Sequence, residues 1–142
     1  MGQAVNEPSS QDLAGLVRNL EPRRRPGEFV FCTVGEIPAD VELLAAIRED
    51  EGLTVVVDRD AADGAGWDYD YVAAMITLYV HSRLDDVGLT AAVSSVLAEA
   101  GISCNVMAGY FHDHLFVPVQ RAEEVLELLG RLASGSLPRD RP

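Results

Sequence analysis

Three short stretches carry residues with chemistry to offer. The first is His81 to Thr90, read as the turn between a strand and a helix. A helix start has free backbone amides that can hold a carboxylate. Asp85 or Asp86 offers negative charge to an ammonium group, and Gly88, without a side chain, lets a ligand come close to the backbone. Ser82, Asp85, Asp86, Val87, Gly88, Leu89 and Thr90 are therefore the candidate binding residues. Together they suit a zwitterion such as an amino acid. The same aspartates and glycine also fit ordinary helix capping, which needs no ligand.

The second stretch is His112-Asp113-His114. Two histidines at i and i+2 share a strand face, with His81 as a third candidate. A zinc site takes three or four ligands and at most two lie close here, so no metal and no cofactor is expected, and a polar hairpin tip is the simpler reading. The third is Tyr110-Phe111 at the same turn, able to line a pocket, form a subunit contact or cover the end of the core. Asn105 is read as bonding a neighbouring strand, because buried amides need partners. Cys32 and Cys104 fall in apolar strand patterns and read as buried thiols with no local base to activate them. No phosphate loop, nucleophile elbow or catalytic carboxylate pair is present. The chain does not read as an enzyme.

The elements that must position these residues are given by apolar spacing. Met75 to Val80 is rich in β-branched and aromatic residues and reads as a strand. Leu89, Val93, Val96, Leu97 and Ala100 form one helical stripe, which Gly101 stops. Ile102 to Ala108 and His114 to Val117 read as strands joined by a hairpin turn at Gly109 to Asp113. Gln120 to Ala133 reads as the last helix, with acidic residues early and Arg131 late. Upstream, Gln11 to Leu20 reads as a short helix with Ser10 as its cap, and Phe29 to Val34 as a central strand. Pro38 to Glu49 reads as a helix and Leu53 to Val57 as a strand. Arg59 to Asp70 has no apolar period and reads as a surface loop or linker.

Here the residues carry a resemblance. The run Gly88-Leu89, then Val93, Leu97-Ala98 and Gly101-Ile102-Ser103, resembles the core of an ACT domain, with the two glycines thirteen positions apart (101 − 88). The wider run from Val80-His81-Ser82 to Leu115-Phe116-Val117-Pro118 is similar to a group of small bacterial ACT-like proteins. So are Pro26 to Val34 and Arg48 to Val57, and the likeness extends from about Leu13 to about Leu132. Asp86-Val87-Gly88 departs from the commoner Asp-x-Pro-Gly by lacking the proline. The resemblance implies an α+β fold: a ferredoxin-like ACT-type βαββα sandwich in two intertwined ACT-like halves, with an antiparallel sheet and helices on one face. It also implies an amino-acid ligand. The expected division is a disordered 1–10, an N-terminal half 11–60, a linker 61–70, a C-terminal half 71–133 and a tail 134–142. Each half lacks its final strand, so an N-terminal strand is expected to fill the vacant edge of the C-terminal sheet.

Composition sets the outer limits. With 142 residues, 48% of them hydrophobic, the chain can bury one core. A net charge of −12 argues against non-specific nucleic-acid binding. The one basic run, Arg23-Arg24-Arg25, reads as a solvated turn between Pro22 and Pro26. No apolar run spans a bilayer, and Met1 to Ser10 lacks the features of a secretory signal. The expectation is a cytoplasmic, non-catalytic sensor that binds a small molecule, acts as a homo-oligomer, and engages neither nucleic acid nor membrane. The competing readings are an interaction module that uses a sheet edge, and a metal-dependent enzyme at His112 and His114.

Overall fold

The structure is a computed structural model and describes residues 13–137. One seven-stranded sheet organises it. Helix α1 (Leu13–Arg18) is followed by strands β1 (Glu21–Arg24), β2 (Phe29–Val34), β3 (Ala45–Glu49) and β4 (Gly52–Asp58), then helix α2 (Arg59–Ala65). Next come β5 (Val72–Tyr79), α3 (Leu89–Glu99), β6 (Asn105–Ala108), β7 (Asp113–Pro118), a 3-10 turn (Val119–Arg121) and α4 (Ala122–Ser134). Strand order is β3-β4-β2-β5-β7-β6, and β1 also pairs with β5. Every pairing is antiparallel.

The sheet contains the same arrangement twice. In each half the order is second, third, first strand: β3-β4-β2, then β6-β7-β5. Their first strands meet in the middle, Phe29 opposite Ala73 and Val30 opposite Val72. The vacant edge of the C-terminal half is filled by β1, whose Glu21 to Arg24 pair with Tyr79 back to Ile76. The expected N-terminal strand at that edge is thus present, and β1 supplies it.

Side-chain alternation sorts the core into two faces. Ala74, Ile76, Leu78, Leu115 and Val117 pack against Leu16 of α1, Leu89, Val93 and Leu97 of α3, and Val125 and Leu129 of α4. On the same face of the N-terminal half, Val30, Cys32, Val55 and Val57 pack against Ala62 of α2. The other face carries Phe29, Val56, Ala73, Met75 and Phe116, and no helix residue among the described residues joins that cluster. Ala73 is small, so the rings of Phe29 and Phe116, on strands either side of it, meet edge-to-face over it at 6.5 Å.

Four expectations need correction. Pro38 to Glu49 forms no helix: residues 35–44 run without regular structure and Ala45–Glu49 is strand β3. Pairing along β4 overrides the helical preference of Leu43-Leu44-Ala45-Ala46. The arginine run is not a turn: Arg23 and Arg24 belong to β1, on opposite faces, and just beyond it the Arg25 amide donates to the Met75 carbonyl at 2.9 Å; Arg24 reaches Glu123 of α4 at 3.6 Å. Pro22 is tolerated because β1 is an edge strand. Arg59 to Asp70 is not a loop throughout, so 61–70 is no plain linker. It begins with α2, capped by the Asp58 carboxylate accepting from the Asp60 amide at 2.9 Å, and Trp67 and Tyr69 fold back onto the core. Finally, Ile102 to Ala108 yields a strand only from Asn105. The Ser10 cap, Gln11, residues 1–10 and the end of the tail lie outside the described residues.

Candidate functional site

The chain leaves β5 at Tyr79 and enters α3 at Leu89, and the intervening corner is held by its own backbone. The Arg83 amide donates to the Asp86 carboxylate at 2.5 Å, and the Asp86 amide donates to the Arg83 carbonyl at 3.0 Å. The Asp85 carboxylate lies 3.3 Å from the Arg83 guanidinium, in water. Gly88 is the residue before the helix, with φ +104°, a conformation that other residues adopt only with strain. Its bare side does not face a ligand. A Cβ placed there would lie 3.0 Å from the Leu13 side chain, so the glycine serves the turn and its contact with α1.

No side chain caps α3. Its first backbone bond runs from the Ala92 amide to the Gly88 carbonyl, which leaves the amides of Leu89, Thr90 and Ala91 with no acceptor inside the helix. Beside them lies a cavity of ≈ 110 Å³. Of the residues expected from sequence, Ser82, Asp86, Leu89 and Thr90 line it. Asp85, Val87 and Gly88 do not: Asp85 is tied to Arg83, Val87 is 86% exposed, and Gly88 backs onto Leu13.

The opposite wall is the β6–β7 hairpin, residues 108–113. The sequence attached Tyr110 and Phe111 to a pocket only as one option, placed Asp113 in the separate histidine stretch, and did not single out Arg83 within His81 to Thr90. The signal for them is the turn itself. Its Gly109 amide donates to the His112 carbonyl at 2.8 Å, and a Cβ at Gly109 would stand 3.0 Å from that carbonyl and 3.1 Å from His114 Nε2. So tight a turn lifts its tip over the corner. Tyr110 and Phe111 stack edge-to-face at 5.1 Å and remain 77% and 73% exposed, and exposed Leu84 lines the same cavity.

The histidines part company. His114 is half-buried, its Nδ1 2.9 Å from the Thr77 hydroxyl. Burial, then nearby His112, then Arg25 hold it below the usual histidine range, with Asp113 opposing. The His112 ring stacks on Tyr79 at 4.6 Å, and its Nδ1 is buried without a partner. Among the described residues no group of three or more histidine, cysteine or acidic side chains could hold a metal ion. Burial pushes the Cys104 thiol up to about 11 and raises Cys32 as well, with Asp68 adding to the latter, so neither is a ready nucleophile. Asn105 is exposed at the start of β6, opposite Phe116, and no hydrogen bond of its side chain is seen.

The comparisons agree with this architecture. One ACT domain model matches residues 8–74 and a second ACT domain model matches residues 71–131. A protein of unknown function from Vibrio cholerae, described as a possible transport protein, is 45% identical, with 83% of this chain and 93% of that one covered and a TM-score of 0.75. An Agrobacterium tumefaciens protein is 20% identical over 81% of this chain and 90% of its own, with a TM-score of 0.61. The regulatory subunit of aspartate kinase from Thermus flavus shares the fold at 10% identity, over 80% of this chain and 96% of that one, with a TM-score of 0.54. No curated protein matches. The chain belongs to the ACT-domain family, a class of regulatory, ligand-binding modules, and carries two ACT-like halves in one sheet. No helix among the described residues is long and apolar enough to cross a membrane.

Proposed function

We propose that the chain is a non-catalytic sensor for a small amino acid, bound at the corner between β5 and α3. The observation that carries this reading is a cavity placed against an uncapped helix start, with carboxylates on its walls. The ligand carboxylate accepts from the free amides of Leu89 and Thr90, where the helix dipole favours negative charge. The ligand ammonium faces Asp86 and Asp113. At ≈ 110 Å³ the cavity is well below the roughly 300–1,000 Å³ of drug-sized sites, so the favoured ligands have small side chains. The fold shared with a regulatory subunit of aspartate kinase supports a regulatory role. The exposed apolar side chains of Leu84, Tyr110 and Phe111 lining the cavity support an oligomer or partner that reads the bound state. Free, buried or half-buried thiols at Cys32 and Cys104 accord with the cytoplasm.

Thermal unfolding with each amino acid tests this. Glycine, alanine or serine at about one hundred times its dissociation constant should stabilise the fold by about 2.7 kcal/mol, a rise of several degrees in Tm. Phenylalanine and tryptophan should leave Tm unchanged. Thr90→Pro removes one of the amides while keeping a residue tolerated in a first helical turn, and should abolish the rise. No response to any small amino acid, or an undiminished response in that variant, would refute the corner as the site.

A further inference from the structure

We propose a second site on the C-terminal half: a groove that binds a small oxyanion, as phosphate ester or carboxylate, through His81 and His112. The groove measures ≈ 400 Å³ and lies between Asn19 after α1, Tyr79 and Val80 at the end of β5, His81, and His112 of the hairpin. Each polar side chain there can donate a hydrogen bond: an amide, a phenol and two imidazoles. No carboxylate lines it. On a chain of net charge −12 that is a distinction. The corner cavity is lined by Asp86 and Asp113, and the two cavities of the N-terminal half by Asp40, Glu42 and Asp58, and by Glu36 and Glu49. Of the four cavities described, this is the one where an anion meets no like charge in the wall.

A cation stands behind the wall. The Arg23 guanidinium lies 4.2 Å over the Tyr79 ring, and the Tyr79 and His112 rings lie 4.6 Å apart. Arg23 is paired with Glu21 at 3.1 Å, so the direct contacts to the anion come from the hydrogen-bond donors of the groove. His112 Nδ1 is buried without an acceptor. The tautomer that orphans no donor there puts the hydrogen on Nε2, leaving that nitrogen to donate. A metal ion is disfavoured by the same features: a guanidinium behind the ring and no carboxylate or thiolate to complement it. The other charged groups around the imidazoles are Glu21 and Arg23 on β1, Asp113 and His114 on β7, and Arg83 in the corner. The inference does not depend on the corner holding an amino acid.

Nuclear magnetic resonance of the histidine rings in the full chain provides the test. Sulfate serves as the phosphate-like probe, since its charge is constant over the range used, and acetate as the carboxylate probe, both at fixed ionic strength. Saturable shifts of the His81 and His112 signals are expected, larger than those of His114. Response to sulfate alone assigns a phosphate-type ligand; response to both assigns oxyanions in general. The His81→Gln/His112→Gln variant should lose the response, and His81→Gln alone, at an exposed side chain, should weaken it if the double variant fails to fold. Absence of saturable shifts, equal shifts from chloride, unchanged binding in His81→Gln, or stoichiometric zinc capture by these rings would overturn the proposal.

Discussion

The two halves repeat one strand order and differ in the connection that leaves the first strand. After β5 the chain forms α3, whose uncapped start opens on a small cavity closed by the β6–β7 hairpin. After β2 the corresponding connection, residues 35–44, forms no helix, and the matching space between Gly35, Glu36 and the β3–β4 hairpin is an open hollow of ≈ 480 Å³. Where α3 lies beside α4, the connection lies beside α2 and leaves a cleft of ≈ 740 Å³. Shared topology therefore does not confer a shared site. Strand ends and hairpins recur in both halves, but among the described residues only the connection after β5 sets an uncapped helix start beside its cavity.

That contrast can be broken at its hinge. Phe116 packs edge-to-face on Phe29 and Phe31 and so ties the halves across β5. Phe116→Ala should cost about 3–5 kcal/mol, and urea unfolding should still show one transition for both halves. A biphasic curve in the native chain would show that the halves are independent.

A smaller effect sharpens the comparison. Gly88→Ala forces an alanine to φ +104° and toward Leu13, and should cost about 1–2 kcal/mol. Gly35→Ala, in the corresponding connection, meets nothing within 4 Å and carries no positive φ, so its effect should stay within about 0.5 kcal/mol. Equal costs in the two variants would mean that the two connections are under the same backbone constraint.

The smallest effect is a pH slope. His114 is held low when folded, so the unfolded chain binds that proton more readily. The contribution is full above about pH 6.5, the ordinary histidine value, and is lost as pH falls below it. Melting temperature should therefore decline on acidification through this range, and less steeply in His114→Asn. An identical slope in the variant would assign the decline to other groups.

The features legible in the sequence were those the core dictates. Ile76, Leu78, Val93, Leu97 and Leu129 are buried at the period of their elements, and together they define the C-terminal half. The misreadings share one cause: elements held by pairing rather than by apolar spacing. β1 is built of arginines whose partners lie more than fifty residues away, α2 buries only an alanine, and β3 is shaped by β4. At the candidate site, the strand-to-helix corner was visible because it is local. The hairpin wall was only partly visible, because nothing nearby in sequence says that residues 108–113 fold over residues 82–90.

β5 is flanked along its length, by β7 on one side and by β2 and then β1 on the other. A ribosome making this chain therefore releases β1 long before its neighbour exists, and Glu21 to Arg24 must wait, unzipped, for the middle of the message to be read. An internal duplication of this kind cannot be undone by cutting the gene in two. Separated at the midpoint, the N-terminal piece would carry away the strand that closes the other's edge.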